Sequence, residues 1–161
     1  MAKARPISGL SEEEPYGHAA ARVISVRAAE LHQHAAGVLD VSEIERVHDM
    51  RVATRRLRAA LEVFEPCFPR KRYKATLCEV KGLADALGER RDRDVTIATL
   101  GLIAETMSTA DRPGVESLIG ALGAEQAEAN AALAPQVTDE RLAALISGLD
   151  ELAVEAEAAA R

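Results

Sequence analysis

From Val41 to Glu65 the chain contains neither glycine nor proline. Within that run Val47, Met50, Thr54, Leu57, Leu61 and Phe64 recur at steps of three and four. On an α-helix such positions share one face, so the stretch is expected to be an amphipathic helix with one core seam. Ser42 stands three residues before Glu45 and reads as a capping-box start. Pro66 sets the stop, because its ring excludes a helical continuation. A core seam of this length needs partner helices, and the rest of the chain is expected to supply them.

A second stripe runs beside the seam, roughly 100° round the helix. It consists of His48, Arg51, Arg55 and Arg58. Neither Arg51 nor Arg55 has a carboxylate at helical spacing on its own helix. Like charges three or four residues apart cost about 0.2–0.5 kcal/mol per pair. A ladder of cations without local counter-charges therefore needs either an external anion or acidic side chains from elsewhere in the chain. The spacing alone leaves both open.

The surroundings of that helix suit a bundle. Hydrophobic residues make up 48 % of the 161 and aromatic ones only 2 %, a helix-rich rather than sheet-rich composition. The length fits one domain with a real core. No stretch approaches a membrane span and the first residues carry no apolar signal core, so the default expectation is a soluble cytoplasmic protein. Cys67 and Cys78 fall in no metal-binding or redox spacing and read as ordinary thiols. No metal site is expected, and His32 and His34 are read as solvated.

Met1 to Glu14 reads as a flexible tail. A first helix is expected from about Pro15 to Gly37, with Ala20, Val23, Ile24, Ala28 and Leu31 inward. After Pro69 a third helix is expected from Arg70 to Leu87, with Tyr73, Leu77, Val80, Ala84 and Leu87 as its seam. Arg70, Lys74 and Lys81 form a basic stripe beside that seam, expected to face the ladder of the second helix across a groove. Gly88 reads as the glycine that ends the third helix. Asp92 reads as the N-cap of a fourth helix through Val95, Ala98, Leu102 and Ile103, which would put Arg91 at a helix N-terminus, a favourable phosphate position. Val115, Leu118, Ile119 and Leu122 begin a fifth helix. Thr138 opens a sixth, with Leu142, Leu145, Ile146, Leu149 and Leu152 as its seam and a fraying tail from Glu155. The fold class is all-α: an antiparallel bundle of about five or six helices.

Net charge is −6, but it is unevenly spread. Residues 46–93 carry thirteen basic and seven acidic side chains, a net of +6, while the flanking segments carry −3 and −9. The local field decides where an anion binds, so the acidic total does not exclude a polyanion partner.

Two motifs now stand out: His48-x-x-Arg51-x-x-x-Arg55-Arg56-Leu57-Arg58, and Leu87-Gly88-x-x-Arg91-Asp92-x-Asp94-Val95. Together they resemble the CHAD domain, the conserved-histidine α-helical domain, over about residues 15–150. The resemblance implies an all-helical fold and a basic surface that binds inorganic polyphosphate, often in proteins of polyphosphate granules. It carries over His48, Arg51, Arg55, Arg56 and Arg58 as the anion-binding set, followed by Lys74, Lys81 and Arg91. A full CHAD domain consists of two related helical halves. No second His/Arg motif occurs after Leu149, so residues 15–161 read as a single half-size domain resembling the N-terminal half. A homodimer that rebuilds the whole is the expected assembly.

The leading function is thus non-enzymatic binding of inorganic polyphosphate or a similar phosphate-rich polyanion, without cofactor, metal or catalytic residues. A scaffold bundle that binds a protein partner, such as a phosphohydrolase, is one alternative. A nucleic-acid module is another, disfavoured because single-strand binders use stacking aromatics, and Tyr16, Phe64, Phe68 and Tyr73 are not interleaved with the basic residues. For an enzyme, His48 as general base would need a positioned nucleophile, and none is apparent.

Overall fold

Helix formation follows the apolar seams over most of the chain. The computed structural model describes residues 3–160 and contains five α-helices, with no strand among the described residues. They are α1 (Tyr16–Ala35), α2 (Ile44–Val63), α3 (Arg70–Thr106), α4 (Arg112–Leu133) and α5 (Asp139–Ala159). Single 3-10 turns at Glu65–Cys67 and Ala134–Gln136 precede α3 and α5. Each helix packs against its neighbour in the order α5, α1, α2, α3, α4, and α3 also touches α5. The all-helical bundle expected from periodicity is the observed fold.

The core lies between α1, α2, α5 and the first half of α3. The expected inward residues of α1 are all buried, as are Val47, Met50, Thr54, Leu57 and Leu61 of α2. Leu142, Leu145, Leu149 and Leu152 complete it from α5. Thr138 caps α5 as expected, its hydroxyl oxygen accepting from the Arg141 backbone N–H at 3.2 Å. Gly17 lets α1 and α5 approach closely, since a Cβ there would run into the Ala156 carbonyl.

Several expected boundaries moved. Ser42 does not cap α2. Its N–H and hydroxyl both donate to Asp40 Oδ1, closing a turn, and Glu43 occupies the cap position without a side-chain bond. The tail of α5 does not fray from Glu155: the helix continues to Ala159, and Glu155 pairs with Arg72 at 3.5 Å. The first segment contains no helix among its described residues, and it lies against α1. The Arg5 N–H donates to Glu30 at 2.6 Å, Ile7 packs against the core, and Arg22 pairs with Glu14 at 2.5 Å.

The largest correction concerns Gly88. It neither ends a helix nor adopts a positive φ, and α3 passes through it for 37 residues, with Asp92 inside rather than capping. An interior glycine costs about 1 kcal/mol relative to alanine. Burial of Leu83 and Leu87 on one side of it outweighs that cost, and on the other side the helix continues through the buried Arg90–Asp94 ion pair. The far half of α3 then leaves the bundle paired with α4 as a projecting hairpin. Its expected seams stay largely uncovered: Val95, Leu102, Ile103 and Leu118 are exposed, and Leu133 is the one buried residue of α4.

Candidate functional site

Because α2 and α3 are antiparallel neighbours, their facing edges form a groove of about 580 Å³. α2 contributes Arg51, Arg55 and Arg58 to it, and α3 contributes Ala84, Asp85, Gly88, Glu89 and Asp92. The seam of α2 fixes the geometry: Met50, Thr54, Leu57 and Leu61 are buried, so the stripe beside them is turned onto the α3 side. The Thr54 hydroxyl donates back to the Met50 carbonyl at 2.8 Å, satisfying a polar group inside the seam.

Gly88 gains a different meaning here. A Cβ on it would lie 3.9 Å from Arg51 Nε. Arg51 Nε therefore lies beside α3 at the point where α3 has no side chain, and a long residue there would meet it.

The pairing of the cations is uneven. Arg58 donates to Glu62 at 2.9 Å on its own helix. Among the described residues, Arg51 and Arg55 form no ion pair and no side-chain hydrogen bond. Glu89 is engaged by Arg93 at 2.6 Å, while among the described residues Asp85 and Asp92 form no ion pair although they line the same groove. Among the described residues, the acidic segment from residue 94 on, the other expected source of counter-charge for the ladder, contributes none to this groove.

His48 sits half-buried on α2, one turn before Arg51 and outside the residues that line the groove. Lys74 and Lys81 are not among the residues that line this groove, and its α3 edge is acidic instead. They line the continuation of the groove with Glu62, Glu65, Tyr73, Leu77 and Cys78. The Arg58–Glu62 pair joins the two parts.

Two members of the expected set are turned elsewhere. Arg56 points to the α1 side, 3.6 Å from Glu30, whose carboxylate is 1 % exposed. Burial alone would push that carboxyl up. The Arg27 and Arg5 hydrogen bonds and the Arg27 and Arg56 charges outweigh it and hold the carboxyl below its ordinary range. Arg91 lies in mid-helix rather than at an N-terminus. It donates to the Ile44 carbonyl at 3.0 Å and to Glu45 at 3.1 Å, pinning the start of α2 to α3.

Sequence reasoning missed Arg90. It is fully buried, donating to Asp94 at 2.9 Å and to Asn130 of α4 at 2.5 Å. Asn130 donates to the Leu39 carbonyl, and Gln126 to Asp94. This cluster fastens α4 to α3 and to the α1–α2 connection. The i,i+4 spacing of Arg90 and Asp94 was visible in the sequence, but their burial was not. Among the described residues no group of His, Cys, Asp and Glu side chains could hold a metal ion, and no helix is long and apolar enough to cross a membrane.

A family model described as CHAD domain matches residues 22–161 of the chain. No curated protein matches it.

Proposed function

The chain belongs to the CHAD domain family, and from that premise we propose that its α2–α3 groove binds inorganic polyphosphate, or a similar phosphate-rich polyanion, without catalysing a reaction. The family is linked to polyphosphate binding in general, and the observation that carries the reading for this chain is the state of Arg51 and Arg55. They stand one turn apart on a rigid helix, open to a groove and without an ion pair among the described residues. Their guanidinium forks match phosphate oxygens bidentately. A bound chain of phosphates would relieve the repulsion between them instead of competing with an internal salt bridge.

His48 and Arg58, the ends of the ladder that includes Arg51 and Arg55, lie ten residues and so about 15 Å apart along the helix, enough to meet several successive phosphates. Lys74 and Lys81 extend the basic surface. Arg56 and Arg91 support it indirectly, by tying α2 to α1 and to α3. Each exposed contact is weak, so affinity comes from number and falls steeply with salt.

The test is a titration of polyphosphate, duplex DNA and an RNA homopolymer at several salt concentrations, repeated with Arg51→Ala/Arg55→Ala. Polyphosphate is expected to bind most tightly, and the double variant to lose most of that binding while remaining folded. Normal binding by the double variant would reject the groove as the site.

A further inference from the structure

The charges along the α2–α3 groove change sides. Beside Arg51, Arg55 and Arg58 the basic edge belongs to α2, and the opposite edge of α3 carries Asp85, Glu89 and Asp92. One stretch further along, the basic edge belongs to α3, with Lys81 and Lys74, and the α2 side carries Glu62 and Glu65. Among the described residues, Arg51, Arg55, Lys81 and Lys74 form no ion pair. The cations thus follow a diagonal from one helix to the other, and carboxylates stand opposite them at both ends.

We propose that this groove is a single-file track that passes one phosphate chain from α2 across to α3, and that Asp85 and Asp92 act as its specificity determinants by excluding polyanions with two phosphate rails. The inference rests on the polyphosphate reading given above and names what that site selects. Packed helix axes lie about 8–10 Å apart. The two phosphate rails of a DNA duplex flank grooves about 6–12 Å wide, a comparable spacing. A duplex that laid one rail along Arg51 and Arg55 would bring the other over the carboxylates of α3, where like charges oppose it. A single chain has no second rail, and it can follow the cations where they change helix. From Arg51 to Arg58 and from Lys81 to Lys74 the ends of the track lie seven residues apart on each helix, hence about 10 Å along each. A short oligophosphate therefore cannot occupy both runs.

The carboxylates also have a cost to the intended ligand. They lower the local positive potential, so binding is weaker than the cations alone would give, in exchange for discrimination. Asp85 and Asp92 are exposed, and their replacement leaves the core untouched.

The experiment compares affinities for long-chain polyphosphate, tripolyphosphate and duplex DNA at one fixed ionic strength. It uses the wild type, Asp85→Asn/Asp92→Asn and Asp85→Lys/Asp92→Lys, each checked for helicity and melting temperature. The Asn pair is expected to tighten polyphosphate about threefold and duplex DNA about tenfold or more, with the Lys pair moving further in the same order. In the wild type, long polyphosphate should bind more tightly than tripolyphosphate, and Lys74→Ala/Lys81→Ala should remove most of that advantage. A ratio of duplex to polyphosphate affinity that stays constant across the three proteins would overturn the specificity role. If at the same time Arg51→Ala/Arg55→Ala abolishes polyphosphate binding, the groove remains the site and only this inference fails. A wild type that binds no polyphosphate overturns the functional reading and this inference with it.

Discussion

Two places on α3 treat arginine in opposite ways. At the α3–α4 junction Arg90 is enclosed, and its guanidinium meets Asp94 and Asn130. In the α2–α3 groove Arg51 and Arg55 line the edge facing the same helix with no ion pair among the described residues, although Asp85 and Asp92 line the groove with them. A buried charge without a partner is strongly destabilising, so folding must complete its pairing. A solvated charge has no such requirement, because water and counter-ions screen it. In the first arrangement the charges are paired inside the fold, although Arg90 Nη2 and Asp94 Oδ2 have no hydrogen-bond partner among the described residues. The second is capacity left for something that binds.

The sharpest way to break this comparison is at its buried side. Arg90→Ala would leave Asp94 as an uncompensated buried carboxylate and is expected to destabilise by about 3–5 kcal/mol, read as a lowered denaturation midpoint. A midpoint close to that of the wild type would mean that the junction does not depend on the pair.

Glu30 is an intermediate case, a buried carboxylate held by Arg27, the Arg5 N–H and Arg56. Glu30→Gln is expected to cost about 1–3 kcal/mol at neutral pH. Its carboxyl lies below the ordinary value of 4.5 in the folded state. The stability it contributes is therefore complete above about pH 4.5 and is lost as pH falls through the lowered folded value. The variant should show a shallower acid limb in a plot of melting temperature against pH. An unchanged acid limb would remove Glu30 from the account.

Gly88→Ala comes next. Its Cβ would meet Arg51 Nε at 3.9 Å, an ordinary contact, and alanine favours the helix by about 1 kcal/mol. A modest rise in melting temperature is expected, with polyphosphate binding retained. A fall would mean that α3 is not a regular helix at that point.

The smallest stability effect belongs to the groove. Arg51→Ala/Arg55→Ala should leave stability unchanged or raise it by about 0.2–0.5 kcal/mol, through relief of like-charge repulsion. The same variant should show the largest loss of polyanion affinity in this set. If it melts distinctly earlier and binds normally, Arg51 and Arg55 are internal structure, and the contrast with Arg90 disappears.

Much of the fold was legible residue by residue. The buried faces of α1, α2 and α5 were readable because a helix repeats its inward face every three or four residues, which is a local property. The Thr138 cap was readable for the same reason. The expectation at Gly88 fails because glycine is scored by its backbone cost, about 1 kcal/mol, while burial of Leu83 and Leu87 and the pairing of Arg90 with Asp94 around it decide the outcome. The apolar positions of the α3–α4 hairpin were also overvalued: periodicity identifies a face, but it does not say that anything covers it.

The candidate site divides along the same line. That residues 46–93 are a basic block, and that His48, Arg51, Arg55 and Arg58 form one ridge beside a core seam, follows from residue order and helical pitch alone. Which arginines are already engaged depends on how the helices pack. Arg56 meets Glu30 on α1, Arg91 meets Glu45 at the start of α2, and Arg51 lies over Gly88 with acidic residues on the facing edge. A helical projection gives the direction in which a side chain leaves its own axis. The charge it meets there belongs to another helix, and that is set by how the core seams pack together.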